Sequence, residues 1–332
     1  MLAKLPFSKF QGAGNDFVVI DARDLATTKE GEALLSSWQL CAPQLAQQLC
    51  HRHKGIGADG LILVLPNSDS KTFYKECRER LIGDYPDYIN SDISWIYTNS
   101  DGSPAQTCGN GLRCLARFAH DKKIIEKDQF KVATACGPVQ IWMDAKNNSN
   151  KIKVDMGSPE LRPEQIPVKF KSTSGFEHVV KEQINDIELT CVSMGNPHCV
   201  NFDSPIWHES DPKKKFLNLA LELQENKAFP ESVNVEFVRT INENAFECYV
   251  IERGCGPTLA CASGAAAVVV AGVLEQRMKK DNLIDVIMPG GTLFVEWVGK
   301  TNSVQITGDA SFVYCGVIEF DLAGVKVEVS CS

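Results

Sequence analysis

Two stretches of this chain, with their cysteines 153 residues apart, run through the same order of residues, and any fold must build both alike. Around Cys108 a cysteine among Gly and Asn precedes an apolar run, then "VATACGPVQIWM" (132–143) and "KVDMGSPEL" (153–161). Around Cys261 a cysteine among Ala, Ser and Gly precedes an apolar run, then "VIMPGGTLFVEW" (286–297) and "QITGDASF" (305–312). Cys108 to Gly137 is 29 residues and Cys261 to Gly291 is 30; Gly137 to Gly157 is 20 and Gly291 to Gly308 is 17. A further pair, "GAGNDFVVID" (12–21) and "MGNPHCVNF" (194–202), opens each copy. Such self-similarity marks one supersecondary unit used twice. The expected halves are 1–161, carrying Cys108, and 162–332, carrying Cys261, with the end of the chain free to return to the first half. The length of 332 residues agrees, on a prior of roughly 150 residues per domain.

Within each copy, runs rich in Val, Ile and Phe with Gly or Asn/Asp turns between them read as strands. They fall at 17–21, 60–64, 139–143, 151–155, 233–238, 247–252, 293–298, 303–307 and 317–322. Helical patterns are fewer: 42–51, 111–120, 213–225 and 263–276. Many strands and a few helices without regular alternation give an α+β fold of two similar, pseudo-symmetric halves. The stretch 66–92 reads as a polar surface insertion with no counterpart in the second copy.

Charge and composition narrow the function. The formal net charge is −8 and no long basic stretch occurs beyond Lys213–Lys215, so nucleic acid is not an expected partner. No segment approaches the roughly 20 apolar residues of a membrane span. The N-terminal residues lack the apolar core of a signal peptide, which points to the cytoplasm. Thirteen cysteines, an odd number without short paired spacings, fit buried reduced thiols better than a disulfide scaffold or a metal site.

A cysteine at the mouth of a helix is unlike a core cysteine. Backbone N–H groups and the positive end of the dipole are aimed at it, and both favour the thiolate. One such thiol per copy suits the inversion of a carbon bearing hydrogen. That reaction needs a base on one face and an acid on the other, and two like groups exchange roles when it reverses. The first N–H groups of each helix, at Gly109–Asn110 and Ala262–Ser263, can hold an α-carboxylate and the charge that develops at Cα. No pyridoxal-phosphate lysine motif or flavin fingerprint is visible, so no cofactor is expected.

These segments resemble diaminopimelate epimerases along most of the chain: "GAGNDFVVID", "GIGADGLIL", "TNSDGSPAQTCGNGLRC", "MGNPHCV", "VNVEFV", "ERGCGPTLACASGAA", "MPGGTLFVEW" and "TGDASFVY". The resemblance implies a cofactor-independent conversion of LL- to meso-diaminopimelate in lysine and cell-wall biosynthesis, in a cleft between two α+β halves of a homodimer. It implies Cys108 and Cys261 as the catalytic pair. Asn15, Asn99, Asn196, Asn234 and Arg253 are implied to hold the substrate, chiefly its non-reacting end. Glu252 is implied near the reacting amino group, Gly109, Asn110, Ala262 and Ser263 at the carboxylate cradle, and His198 as a group that orients or tunes a thiolate. Two positions depart from the usual pattern: Gly60 stands where many members have glutamine, and Ala262 replaces a usual glycine.

Other readings predict other things. A proline or hydroxyproline racemase on the same scaffold needs no Arg253 with Asn99, Asn196 and Asn234 for a second amino acid end. A dithiol redox protein would be expected to carry Cys-x-x-Cys, which neither position has. A non-catalytic amino acid binder would survive loss of both thiols. Asn15 and Asn99 could each be turn residues. Asn234, between valines in a strand, is harder to explain that way, because a polar group there needs a partner.

Overall fold

The structure is a computed structural model that describes residues 2–67, 90–105, 107–143, 150–170, 178–184, 186–321 and 328–331. The insertion expected at 66–92 therefore lies almost wholly outside the described residues. The chain divides into two units, Met1–Val154 with Asp309–Ser332, and Asp155–Gly308.

The first unit contains β1 (Leu2–Gly12), β2 (Asn15–Asp21), β3 (Gly60–Pro66), β4 (Ile93–Asn99), β5 (Gln129–Thr134), β6 (Gly137–Met143) and β7 (Lys151–Asp155). The second contains β8 (Val179–Ile184), β9 (Ile187–Ser193), β10 (Pro197–Phe202), β11 (Asn234–Asn242), β12 (Ala245–Glu252), β13 (Gly256–Pro257), β14 (Leu283–Met288), β15 (Gly291–Trp297) and β16 (Val304–Asp309). The chain then supplies β17 (Ser311–Asp321) and β18 (Glu328–Cys331) to the first unit.

Pairing makes the duplication explicit. In the first unit the strands run β17-β1-β2-β3-β4-β5-β6-β7, and neighbours are antiparallel except β2–β3 and β4–β5. In the second they run β8-β9-β10-β11-β12-β14-β15-β16, again antiparallel except at the third and fifth pairs, β10–β11 and β12–β14. The two-half reading of the sequence holds at the level of strand direction. The division falls at Val154 and Gly308 because β17 pairs along β1, so the chain's end completes the sheet that its beginning opened.

A parallel pair needs a crossover, and in both units the crossovers are helical. Between β2 and β3 lie α1 (Ala22–Leu25), α2 (Lys29–Ser36) and α3 (Trp38–Leu49); between β4 and β5 lies α4 (Gly109–Asp121). In the second unit α5 (Pro212–Gln224) joins β10 to β11, and α6 (Ala262–Leu274) joins β12 to β14. Helix α5 starts one residue ahead of the expected 213: Asp211 caps it by accepting from Lys214 N–H, and Pro212 takes the first helical position.

Both faces of the first sheet are covered, which is why β2 and β3 read as continuous apolar runs rather than alternating ones. Val18, Ile20, Leu61 and Leu63 form one core with Leu34, Leu35, Trp38, Leu45 and Leu49 of α2 and α3. Phe17, Val19 and Ile62 are equally buried and point to the other face, where α4 packs against β1, β2, β3 and β17. Helix α6 is apolar all round and lies against β9, β10, β11, β14 and β15. Its Val268, Val269 and Val270 are buried, each stabilising the unit by roughly 1.5–3 kcal/mol. Each cysteine-bearing helix packs against several strands of its own unit, which holds its first turn in place. No helix among the described residues is long and apolar enough to cross a membrane.

Candidate active site

Cys108 is the N-cap of α4 and Cys261 is the N-cap of α6. Both have extended backbone, with φ −152° and ψ 112° at Cys108 and φ −126° and ψ 115° at Cys261. Each Sγ takes the place of a capping oxygen: Gly111 N–H donates to Cys108 Sγ at 3.4 Å, and Gly264 N–H donates to Cys261 Sγ at 3.4 Å. The first helical N–H groups, at Gly109–Asn110 and Ala262–Ser263, have no acceptor within the helix. Ala262 has no positive φ, so its replacement of a glycine asks nothing unusual of the backbone.

Around Cys108 the neighbours are amides and a cation. The thiol donates to Asn15 Oδ1 at 3.7 Å, and Asn110 Nδ2 donates to the same oxygen at 3.4 Å. Asn110 Oδ1 in turn accepts from Arg113 Nη2 at 2.8 Å. Arg113 is fully buried one turn into α4; its Nε donates to Asp309 O at 3.4 Å, and its Nη1 has no hydrogen-bond partner among the described residues. On the other side, Asn15 Nδ2 donates to Asp59 Oδ2 at 2.5 Å. The structure therefore sets Asn15 beside the thiol. Asn99 closes the turn after β4: its N–H donates to Ser103 O at 2.9 Å and its amide to Ser103 Oγ at 3.0 Å.

Gly60 is a packing requirement. A Cβ there would lie 2.4 Å from Tyr97 Cε2, so the ring of Tyr97 fills the space a longer side chain would need.

Around Cys261 the neighbours are carboxylates and a hydroxyl. Sγ lies 3.4 Å from Ser263 Oγ. Glu252, at the end of β12, accepts from Thr258 Oγ1 at 2.5 Å; burial pushes its carboxyl above the usual range, opposed by the Thr258 hydroxyl. Burial likewise pushes the Cys261 thiol well above its ordinary value, reinforced by the charges of Glu252 and Glu236. This reverses the direction expected from the helix dipole alone: at this mouth, desolvation and carboxylates outweigh it.

Glu236 is the residue that the sequence reading passed over. It is fully buried on β11, two residues beyond Asn234 and so on the same face. Its Oε1 lies 2.7 Å from His198 Nδ1, and its Oε2 has no hydrogen-bond partner among the described residues. A Cβ on Gly264 would come within 2.8 Å of that Oε1, which places the carboxylate under the first turn of α6. His198 Nε2 lies 2.9 Å from Asn196 Oδ1, so the imidazole bridges Glu236 and Asn196. The reasoning that singled out Asn234, a polar residue among strand valines, applies equally to Glu236. Asn234 accepts from Arg253 N–H at 2.8 Å and donates to Pro197 O at 3.0 Å, while Arg253 Nη1 donates to Glu231 O at 2.7 Å.

The duplicated α+β sheet unit is a fold that other proteins share. Solved structures share this fold: a phenazine biosynthesis protein of the PhzF family from Bacillus anthracis (TM-score 0.61, 16% identity, 96% of this chain and 100% of that one) and a hydroxyproline epimerase from Agrobacterium vitis (TM-score 0.60, 13% identity, 97% and 94%). The family model for diaminopimelate epimerase matches residues 7–162 and 190–313. A chloroplastic diaminopimelate epimerase of rice is 37% identical over 320 residues, covering 94% of this chain and 79% of the rice protein. A diaminopimelate epimerase of Rippkaea orientalis is 36% identical over 318 residues, covering 94% and 98%. The chain belongs to the diaminopimelate epimerase family.

Proposed function

We propose that this protein interconverts LL- and meso-diaminopimelate by proton exchange at one Cα, with Cys108 and Cys261 as the two proton-transfer groups. The observation that carries this reading is the match between the halves: one thiol caps the same helix in each, with the same N–H donor three residues on. One sulfur, as thiolate, takes the α-proton from one face. The other, as thiol, gives its proton to the opposite face, and the configuration is inverted with no net gain or loss of protons. The N–H groups at Gly109–Asn110 and Ala262–Ser263 hold the α-carboxylate and the charge that builds on it in the transition state. Asn99, Asn196, Asn234 and Arg253 belong to the grip on the second amino acid end, and Glu252 to the reacting amino group. His198 belongs to the tuning of the thiols.

The reading requires the two sulfurs on opposite sides of a single carbon in the substrate-bound molecule. It also requires both as free thiols, as expected in the reducing cytoplasm; the rice relative is named chloroplastic. The homodimer expected from the family resemblance belongs to the same reading. Cys108→Ala and Cys261→Ala should each lower turnover of LL-diaminopimelate by at least ~10²–10⁴-fold, the usual worth of a placed acid or base. The check is appearance of the meso isomer by chiral chromatography. Wild-type-like turnover in either variant would rule out the two-thiol mechanism.

A further inference from the structure

The amide of Asn15 has its orientation imposed from both ends. Asp59 lies in the loop before β3 and is an acceptor: Oδ2 takes Asn15 Nδ2 at 2.5 Å and Asp16 N–H at 3.0 Å, and Oδ1 takes Arg52 Nη2 at 2.7 Å. A carboxylate held by these donors has nothing to give, so only the NH₂ of Asn15 can face it. From the other end, Arg113 can only donate, so Asn110 must turn its oxygen to Arg113 and its NH₂ to Asn15. Both constraints put the carbonyl oxygen of Asn15 against Cys108 Sγ. The result is a chain, Arg52–Asp59–Asn15–Asn110–Arg113, charged at its ends and amide in its middle, with the thiol attached at the central oxygen.

We propose that Asp59 is a positioning residue: by fixing the Asn15 amide it makes Cys108 face a carbonyl oxygen instead of an amide N–H, and so keeps the sulfur a strong base. The inference rests on the reading of Cys108 as a proton-transfer group. A carbonyl oxygen accepts from the thiol and repels the thiolate, whereas an amide N–H would stabilise the thiolate and weaken it as a base. The charged and titratable groups packed about this chain of contacts are Arg113 and Cys114 on α4, Asp309 at the end of β16, Lys9 on β1, Asp16 on β2, and Cys50, Arg52 and Asp59 ahead of β3. Asp16 supplies an internal control. It is held by Lys9 at 2.8 Å and by Arg52 at 2.9 Å, and these contacts outweigh the opposing effect of burial to keep its carboxyl below the usual range. Its side chain belongs to the same charged cluster without touching the Asn15 amide.

The test compares Asp59→Asn with Asp16→Asn in the full-length protein. Each removes one negative charge from the cluster, and only the first changes the partner of the amide: with Arg52, which can only donate, holding the remaining oxygen at position 59, the new NH₂ faces Asn15 and turns its amide over. The readout is the pH midpoint of iodoacetamide alkylation at Cys108, followed by peptide mass spectrometry, with far-UV circular dichroism confirming that each variant is folded. In Asp59→Asn the midpoint should fall by about one pH unit, the scale of a gained amide hydrogen bond to a thiolate. Asp16→Asn should move it by much less, and Asp59→Glu, which keeps an acceptor, should return it towards wild type. Equal shifts in the two Asn variants would reduce the effect to net charge and overturn the proposal, as would an unmoved midpoint. If Asp59→Asn fails to fold, Arg52→Gln, which loosens the carboxylate from outside, should move the midpoint in the same direction; no movement there overturns it as well. Alkylation needs no turnover, so this outcome is independent of whether Cys108→Ala retains epimerase activity.

Discussion

The half holding Cys108 and the half holding Cys261 share strand directions, crossover helices and a thiol cap, yet the buried charge beside each thiol has the opposite sign. Beside Cys108 it is Arg113, fully buried, with Nη1 unpartnered among the described residues. Beside Cys261 it is Glu236, equally buried, with Oε2 unpartnered in the same sense, and Glu252 close by. Duplication explains the common scaffold. The charges are where the copies have diverged, and they teach that one backbone can hold two like groups in local fields of opposite sign. On the proposed two-thiol reading an acid and a base are both needed at every turnover, and opposite fields suit that division.

The largest effect expected from this comparison is a pair of pH shifts with opposite signs. Glu236→Gln removes a negative charge from beside Cys261, so the midpoint for alkylation of that thiol should fall by about one to two pH units. Arg113→Gln removes a positive charge from beside Cys108, and that midpoint should rise by a comparable amount. The measurement is the alkylation profile at each cysteine, with turnover falling by roughly 10- to 100-fold in both variants as acid and base lose their match. Shifts in the same direction would break the comparison.

A smaller effect separates the same two helix mouths by packing. A Cβ on Gly264 would meet Glu236 Oε1 at 2.8 Å, while one on Gly111 would meet the Trp95 ring at 3.1 Å. Gly264→Ala should therefore cost about 1–3 kcal/mol in urea unfolding, and Gly111→Ala less, because its contact is one that a few tenths of an ångström relieve. Equal costs would mean that Glu236 can move aside and that its place under α6 is not fixed.

The repeat, the two helix mouths and the α+β class were legible because each is written in local sequence: Gly/Asn or Ala/Ser before an apolar run, and matched spacings between turns. Other features were not. The return of the chain's end to the first half was open in the sequence, but the pairing of β17 with β1 is long-range, and residues 311–321 carry no mark of their partner. Helices α1 and α2 were missed because "ARDLATTKEGEALLS" is short and weakly apolar; Asp21 and Thr28 cap them, but those caps precede no long periodic run. At Cys261 the sequence showed the helix dipole but not the burial or Glu236, and these decide the direction in which the thiol shifts. Arg113 was hidden for a related reason: inside "GLRCLARF" it reads as an arginine on a helix, and only the fold shows that it is wholly enclosed.

The most direct measurement is the early fate of hydrogen when LL-diaminopimelate is turned over in deuterated water. Each thiol carries a single proton, so a proton lifted by one sulfur stays there until it returns, while the opposite sulfur delivers deuterium from solvent. At early times the meso product should therefore carry one deuteron at the inverted carbon, and the recovered LL isomer should carry none. Product that keeps its original proton, or deuterium entering the LL pool as fast as meso appears, would contradict two thiols acting from opposite faces.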